Sequence, residues 1–356
     1  MGNELGVRTY RQIITQFDSW EAAIKDVLDQ AQLFKEHFQQ KGFGEVIFTG
    51  CGSSYYSSLT ASAIFQTLTG IRTRGLPASE LFLFPDSFLV KGSSTLLVAI
   101  SRSGETTETI QAVQAFKERY GGDVLAVSCY KNSRLVSECD ISLIAREGKE
   151  ESVVQTRSFT TMLLMLELYA GIVSGQADFY KRLRALPKQG KRIINEHHAL
   201  VKELGEKKEV EKFVFLGSGV NYGLACEAML KMKEVTLTSS EAFHFLEFRH
   251  GPKATVDEKT LVVGFLSDSA GGYELEVIEE TRRLGAKTLV FTDKTIKGHM
   301  DYLIQLNSGF SDLARGLLYI PPIQLLAYYK ALSRGLDPDH PRHLDAVVKL
   351  EKEVGK

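Results

Sequence analysis

Three hydroxyl residues and a glycine lie close together in the segment SRSGET, residues 101–106, between an apolar run and a helix-like segment. The N-terminus of a helix exposes unpaired N–H groups and the positive end of the helix dipole, which together attract an anion. Ser101, Ser103 and Thr106, together with the backbone after Gly104, could therefore bind a phosphate group without any lysine. The chemistry that this segment indicates is phosphate binding by neutral donors.

A second turn of the same kind, GCGSSYYS at 50–57, follows an earlier apolar run and adds Ser53 and Ser54. The alternative for either turn is a simple helix cap, because Ser and Thr are common at that position. Two such turns at the ends of successive strands favour a phosphate site over two independent caps. Neither turn contains the Gly-Lys-Ser/Thr sequence of a nucleoside-triphosphate loop.

A second group of candidate residues is charged and has helical spacing. Glu227, Lys231 and Glu234 are separated by four and three positions, which places them on one face of a helix. The alternative is a solvated stripe with ordinary ion pairs. His250 lies in RHGP, where Gly251 and the following proline predict a tight, exposed turn. A histidine in such a loop can also be a surface residue without catalytic function.

Composition limits the classes of protein to consider. The chain has 356 residues, 44% of them hydrophobic and 24% charged, with a formal net charge of −1. These values predict a globular protein of two domains and exclude nucleic acid and anionic membranes as expected partners. The cysteines at 51, 129, 139 and 226 lack metal or redox spacing. We therefore expect reduced thiols in a cytoplasmic protein without a metal or an organic cofactor.

The order of apolar and amphipathic segments predicts two copies of a doubly wound α/β domain with parallel sheets. An amphipathic helix over 18–42, with Asp18 as N-cap and Gly42 as its end, precedes the first copy. The expected division is an N-terminal helical segment 1–42, a first domain 43–195, a second domain 196–335 and a C-terminal tail 336–356. Strands are predicted at 45–50, 94–101, 123–129, 141–145, 260–268 and 287–293, and a further strand is predicted to open the segment 212–230. Residues 155–204 are predicted to be mostly helical.

Six segments in conserved order make the chain resemble the sugar isomerase (SIS) family. They are TGCGSSYYSS, SRSGETTETIQAV, QTRSFTT, EAMLKMKEV, EFRHGPKA and GLDPDHPRHL. The likeness covers residues 45–350 and is closest to the isomerase half of glucosamine-6-phosphate synthase and its stand-alone deaminase and deglycase relatives. The resemblance implies two tandem flavodoxin-like SIS domains with flanking helices and a C-terminal tail, acting on a sugar 6-phosphate.

The resemblance also implies roles for individual residues. Glu234 matches the family's proton-transfer carboxylate, and Lys231 matches the lysine beside it. His250 matches a ring-opening histidine that the partner subunit supplies, which implies a homodimer. Glu227 is then a supporting carboxylate. The implied phosphate and sugar contacts are Ser101, Arg102, Ser103, Thr106, Ser53, Ser54, Val153 and Gln155.

The sequence differs from that of the synthase in two places, and these differences determine which activity we expect. The chain has Gly2 and no glutaminase domain, so we expect no ammonia release from glutamine. Where the synthase tail carries a Schiff-base lysine, this chain has Asp345 and Ala346, and Lys349 is the possible substitute. We therefore expect conversion of glucosamine 6-phosphate to fructose 6-phosphate and ammonia. The alternatives are a fructosamine-6-phosphate deglycase, which releases glucose 6-phosphate and an amine, and a non-catalytic sugar-phosphate sensor. The sugar epimer and the amine stay open.

Overall fold

The structure, a computed structural model, describes residues 5–350. The described chain forms two compact units, each built from discontinuous segments. The first unit comprises 18–150, 157–184 and 345–350, and the second comprises 5–17, 151–156 and 185–344. Within residues 5–350, no helix has both the length and the apolar composition needed to cross a bilayer.

The first unit contains a five-stranded parallel sheet in the order β2-β1-β3-β4-β5. Its strands are β1 (Glu45–Gly50), β2 (Arg72–Pro77), β3 (Thr95–Ile100), β4 (Val124–Ser128) and β5 (Ile141–Ile144). Every residue of β1, β3 and β4 is buried, because helices cover both faces of a parallel sheet. Continuous apolar runs therefore form the centre of the sheet.

The helices up to residue 182 are α1 (Val7–Asp29), α2 (Ala31–Lys41), α3 (Ser53–Thr69), α4 (Ala78–Leu83), α5 (Pro85–Phe88), α6 (Thr107–Arg119), α7 (Arg134–Ser137), α8 (Arg157–Val173) and α9 (Ala177–Arg182). Short 3₁₀ turns cover Arg146–Gly148 and Leu183–Ala185. The boundary between the units falls within α1, after Phe17. Gly42 ends α2 in the left-handed conformation, with φ of 59°.

The second unit repeats the same topology, with parallel strands in the order β10-β9-β8-β6-β7. Its strands are β6 (Lys212–Gly217), β7 (Ser239–Phe243), β8 (Thr260–Phe265), β9 (Lys287–Thr292) and β10 (Tyr302–Gln305). Its helices are α10 (Leu186–Glu206), α11 (Tyr222–Thr236), α12 (Phe245–Phe248), α13 (Gly271–Arg283), α14 (Asp312–Arg315) and α15 (Ile320–Ser333), with 3₁₀ turns at Gly219–Asn221, Pro252–Thr255 and Gly316–Tyr319.

The predicted fold class is confirmed, and three details of the sequence analysis need correction. Asp18 is not an N-cap, because α1 begins eleven residues earlier and runs through it. The predicted helix 18–42 is two helices, which are separated at Gln30. The strands β2, β7 and β10 were not predicted. All three are edge strands with partly exposed residues, so they lack the apolar run that marks the inner strands.

The start of α1 is held by carboxylates from a distant part of the chain. Asp339 accepts hydrogen bonds from the backbone N–H groups of Arg8 at 2.9 Å and Thr9 at 2.7 Å, and from the Thr9 hydroxyl at 2.7 Å. Asp337 accepts the N–H of Gly6 at 2.8 Å. These carboxylates satisfy the first N–H groups of the helix and complement its positive end. Within the second unit, they fasten the segment after α15 to α1.

We predict that Asp339→Ala lowers the free energy of unfolding by about 2 kcal/mol, because it removes three hydrogen bonds at a helix N-terminus. Urea unfolding followed by circular dichroism measures the change. Glu118→Ala, at an exposed position on α6, is the control and should stay within about 0.5 kcal/mol of the wild type. Equal stability of the two variants would contradict the capping role of Asp339.

Candidate active site

Two turns lie side by side at the carboxyl edge of the first sheet. The chain leaves β1 for β2 on one side and reaches β3 on the other, so β1 and β3 form the switch point where doubly wound sheets bind ligands. Gly52, with φ of 54°, brings the chain from β1 into α3. Ser53 and Ser54 are the first residues of that helix, and both are buried. The two predicted turns therefore flank the switch point.

Cys51 lies in the first of these turns, and its Sγ is 3.8 Å from the Thr109 hydroxyl on α6. Burial, followed by the charge of Glu108, raises the pKa of the Cys51 thiol to about 11. The thiol is thus protonated at neutral pH and is a poor nucleophile. The chemistry of this turn rests on its hydroxyl and N–H groups.

The second turn, residues 101–106, is organised by its own hydroxyl groups. The Ser101 Oγ lies 3.0 Å from the Thr106 hydroxyl and accepts the N–H of Gly104 at 3.1 Å. The Ser103 Oγ accepts the N–H of Glu105 at 3.1 Å. Thr106 stands at the N-cap position of α6, but its side chain makes no capping hydrogen bond. A cap therefore does not account for Thr106, and the turn keeps the features of an anion site.

Arg102 brings a positive charge to this turn, and a buried carboxylate balances it. Its Nη1 lies 3.4 Å from an oxygen of Glu150, whose side chain is fully buried. Glu150 also accepts the Ser158 hydroxyl at 2.5 Å and the Ser158 N–H at 3.2 Å. The local charge at the turn is therefore close to neutral. Glu150 was missed by sequence reasoning, because nothing separates it from the other charged residues of the segment REGKEE.

The C-terminal tail lies against the same turn within the first unit. Arg102 Nη2 donates to the carbonyl of Ala346 at 2.8 Å, and the N–H of Leu350 donates to the Thr107 hydroxyl at 3.3 Å. Lys349 lies between these two contacts in the chain, and its side chain is exposed. Asp345 and Ala346 lie in the same tail, and their side chains carry no amine.

Gly104 gives the turn its shape. It has φ of +67°, and a Cβ added there would lie 2.0 Å from the Ser133 Oγ and 3.1 Å from the Ser128 Oγ. Ser128 in turn donates to the carbonyl of Arg102 at 3.2 Å. The end of β4 and the start of α7 therefore support the turn from below, and only glycine fits at this position.

We predict that Gly104→Ala destabilises the protein by about 3 kcal/mol, from left-handed backbone strain together with the clash at Ser133. Gly121→Ala is a matched control, because Gly121 has φ of +69° and no atom within 4 Å of the added Cβ. It should cost only about 1 kcal/mol. Urea unfolding compares the two variants. Equal losses would show that Ser133 does not restrict the turn.

The second group of candidate residues lies on α11 in the second unit. The Lys231 ammonium is 2.5 Å from a carboxylate oxygen of Glu234 and 3.4 Å from one of Glu227. Glu227 and Lys231 are almost completely buried, and the Glu234 side chain is 19% exposed. These residues are therefore not a solvated stripe. They form a buried ammonium between two carboxylates, with only Glu234 reaching solvent.

The segment 151–156 belongs to the same unit and packs beside Lys231. Val154 and Thr156 are buried and line, with Lys231, a cavity of about 10 Å³, the size of one water molecule. Gln324 donates to the carbonyl of Thr156 at 3.1 Å and holds the segment in place. The candidate residues between and beside these buried positions, Val153 and Gln155, are half-buried.

His250 follows α12 in a tight loop, as its sequence predicts. Its N–H donates to the carbonyl of Glu247 at 2.9 Å, and Gly251 continues the turn with φ of 118°. Arg249 fixes the loop through Glu280 at 2.8 Å. The imidazole of His250 is exposed. His250 therefore lies at the surface. Among the described residues, no hydrogen bond joins it to Glu227, Lys231 or Glu234.

The first unit thus carries the hydroxyl turn, and the second carries the cluster of Glu227, Lys231 and Glu234. The SIS domain model matches residues 41–171 and 208–332, more than half of the chain. The protein therefore belongs to the SIS domain family. Both matches coincide with the two sheets, so the duplication inferred from the sequence is confirmed.

Several proteins that are similar to this chain are named as enzymes of sugar phosphates. The chain is 34% identical over 320 residues to a glutamine–fructose-6-phosphate aminotransferase of Pyrobaculum aerophilum, covering 86% of this chain and 51% of that protein. It spans about half the length of the curated relatives it matches. A crystal structure of Thermotoga maritima glucosamine-6-phosphate deaminase is 32% identical, with a TM-score of 0.73, covering 92% of this chain and 99% of the other. The C-terminal domain of the Francisella tularensis glucosamine-fructose-6-phosphate aminotransferase has a TM-score of 0.83 at 25% identity, covering 96% and 100%.

Proposed function

We propose that this protein isomerises and deaminates an amino-sugar 6-phosphate, converting glucosamine 6-phosphate and water to fructose 6-phosphate and ammonia. The observation that carries the proposal is the Lys231 ammonium held between Glu227 and Glu234, with only Glu234 reaching solvent. Burying these charges costs stability, and a catalytic role for the partly exposed carboxylate would explain why the arrangement is kept. The likeness to the Thermotoga deaminase, at 32% identity over almost that whole chain, supports deamination.

The phosphate would bind at the hydroxyl turn of the first unit. Ser101, Ser103 and Thr106 supply neutral donors, and the dipole of α6 adds a positive potential. Since Glu150 balances Arg102, the turn holds a dianion without a large excess of positive charge. The proposed contacts to the rest of the sugar are Ser53, Ser54, Val153 and Gln155.

The proton transfer would be made by Glu234. Its carboxylate removes the proton from C2 of the open-chain aldose, the electron pair forms the C1–C2 double bond, and the C1 carbonyl oxygen takes up a proton to give an enolamine. Return of a proton from Glu234 to C1, with loss of a proton from the amino nitrogen, gives a C2 imine, which water hydrolyses to the ketose and ammonia. Lys231 is a positioning residue, because its ammonium fixes the Glu234 carboxylate at 2.5 Å.

Ring opening is assigned to His250, because histidine is the side chain most often used as a general acid or base. Its exposure supports the proposal that a partner subunit receives it and that the protein is a homodimer. The four free cysteines support a cytoplasmic location. Asp345 and Ala346 lack an amine, and we propose that the reaction proceeds without a Schiff base to the tail.

A panel of substrates tests the reaction. The protein is incubated with glucosamine 6-phosphate, galactosamine 6-phosphate and the fructosyl 6-phosphates of lysine and aspartate, and the ammonia or amino acid released is measured. We expect ammonia from an amino-sugar phosphate to dominate. Release of the amino acid instead would identify a deglycase. Binding of all of these ligands without turnover would identify a sensor and contradict the proposal.

We predict that Glu234→Gln lowers kcat by about 10³-fold, because the amide cannot carry the proton. Binding of fructose 6-phosphate, measured by calorimetry, should change little because the phosphate turn is untouched. Glu241→Gln, an exposed position on β7, is the matched control and should keep the wild-type rate.

A rate for Glu234→Gln above one tenth of the wild type would contradict the assignment of the base. Lys349→Ala separates the role of the tail in the same assay. Its rate should equal that of the wild type, and a large loss would show that Lys349 replaces the family's tail lysine.

A further inference from the structure

The turn after β8 occupies, in the second unit, the topological place of the hydroxyl turn in the first. In the second sheet β6 and β8 are neighbours, with β7 on one side and β9 on the other, so they form that sheet's switch point. The turn runs from Leu266 to the start of α13, a helix of 13 residues without a side-chain cap. Its sequence, SDSAGG at 267–272, again follows a buried strand and opens a helix.

Two N–H groups of this turn donate to carboxylates of the protein itself. The N–H of Ser267 donates to Glu274 Oε2 at 2.6 Å, and the Ser267 hydroxyl donates to the same oxygen at 3.0 Å. The next N–H, that of Asp268, donates to Asp312 at 2.7 Å, and the N–H of Ala270 donates to the Ser267 hydroxyl oxygen at 3.0 Å. Successive backbone N–H groups can bind an anion. Here the carboxylate of Glu274 accepts both donors of Ser267.

Glu274 is a carboxylate residue in a buried position, which is unusual. It is 1% exposed, and its second oxygen, Oε1, is buried without a hydrogen-bond partner among the described residues. Burial is the main cause that raises the pKa of this carboxyl group, and the hydrogen bonds from Ser267 oppose it. A buried carboxylate with an unsatisfied oxygen is costly. Its presence is explained if the site requires a negative group.

The charges around the turn are compatible with a bound phosphate in place of the Glu274 carboxylate. Arg315 is buried and pairs with Asp312 and with Asp268, the latter at 2.8 Å. Lys294 lies 3.3 Å from Asp268. Two cations and two carboxylates therefore remain around the turn when Glu274 is removed, and the Ser267 N–H and hydroxyl lose their acceptor.

We propose that the turn after β8 is a latent phosphate site that the Glu274 carboxylate fills in cis. Inorganic phosphate or a phosphate monoester is the class of ligand that it would take. Each chain consequently binds a single phosphate group, at the first sheet, although it carries two turns of similar placement. The comparison with the first sheet rests on the proposed function, but the site at Ser267 does not.

The test counts bound phosphate by calorimetry with inorganic phosphate on the full chain, at constant ionic strength. The wild type should bind one equivalent and Glu274→Ala two. Glu274→Gln is the matched control, because its amide oxygen still accepts from Ser267 and should keep the count at one. A folded Glu274→Ala with the same count as the wild type would overturn the proposal.

Two further measurements keep the result interpretable. If Glu274→Ala is only marginally folded, phosphate should raise its Tm more than that of the wild type, since a ligand that binds only the folded state stabilises it. An equal rise in Tm would count against the latent site. Combining Ser103→Ala and Thr106→Ala should remove the first site and leave one equivalent bound when Glu274→Ala is added. A wild type that binds none, beside a Glu274→Ala that binds one, would contradict the proposed phosphate turn and support the latent site.

Discussion

A buried ammonium between two carboxylates is the interaction on which the rest of this account depends. The Lys231 ammonium cannot be buried unpaired in the interior without a large free-energy cost. Glu227 and Glu234, one helical turn to either side, offset that cost as ion-pair partners. The spacing works only on a continuous helix, and α11 supplies it. The helix begins directly after the turn that follows β6, so the second sheet sets the position of the cluster.

The two repeats share a topology but have opposite electrostatics at their switch points. In the first unit, Arg102 in the turn pairs with Glu150, which lies between the fifth strand and the long helix α8. In the second unit, Asp268 in the turn pairs with Arg315, which lies between the fifth strand and α15. The ion pair is retained and its direction is reversed. In the second turn, carboxylates of the protein accept the N–H groups of Ser267 and Asp268. No described hydrogen bond joins the hydroxyl groups of Ser101, Ser103 and Thr106 to a carboxylate.

The inner strands and the candidate turns could be predicted from the sequence because their physical signals are local. Buried parallel strands have apolar sequences, so β1 was predicted with its observed bounds and β6 as the strand that opens the segment 212–230. The edge strands β2 and β7 were missed because one side of each is unpaired and their residues are partly exposed. The prediction of Asp18 as an N-cap was wrong because aspartate also occurs inside helices that tertiary contacts stabilise.

The sequence identified the candidate residues, but it did not predict how deeply they are buried or what packs around them. The helical spacing places Glu227, Lys231 and Glu234 on one face, but spacing alone does not distinguish a buried cluster from a solvated stripe. That distinction depends on the packing of α11 against its own sheet and α15, which no local pattern encodes. The same holds for Glu150 and Glu274, whose roles come from partners far along the chain or from burial.

The most direct test of the central claim is the reaction run in D₂O, with the product examined by NMR. If the Glu234 carboxylate moves the proton, the wild type will place deuterium at C1 of fructose 6-phosphate in those turnovers in which the carboxyl proton exchanges with D₂O before it is returned. The Glu234→Gln variant will incorporate deuterium about 10³-fold more slowly while still binding the sugar phosphate. Incorporation by that variant as fast as by the wild type would contradict the claim that the Lys231-held carboxylate is the base.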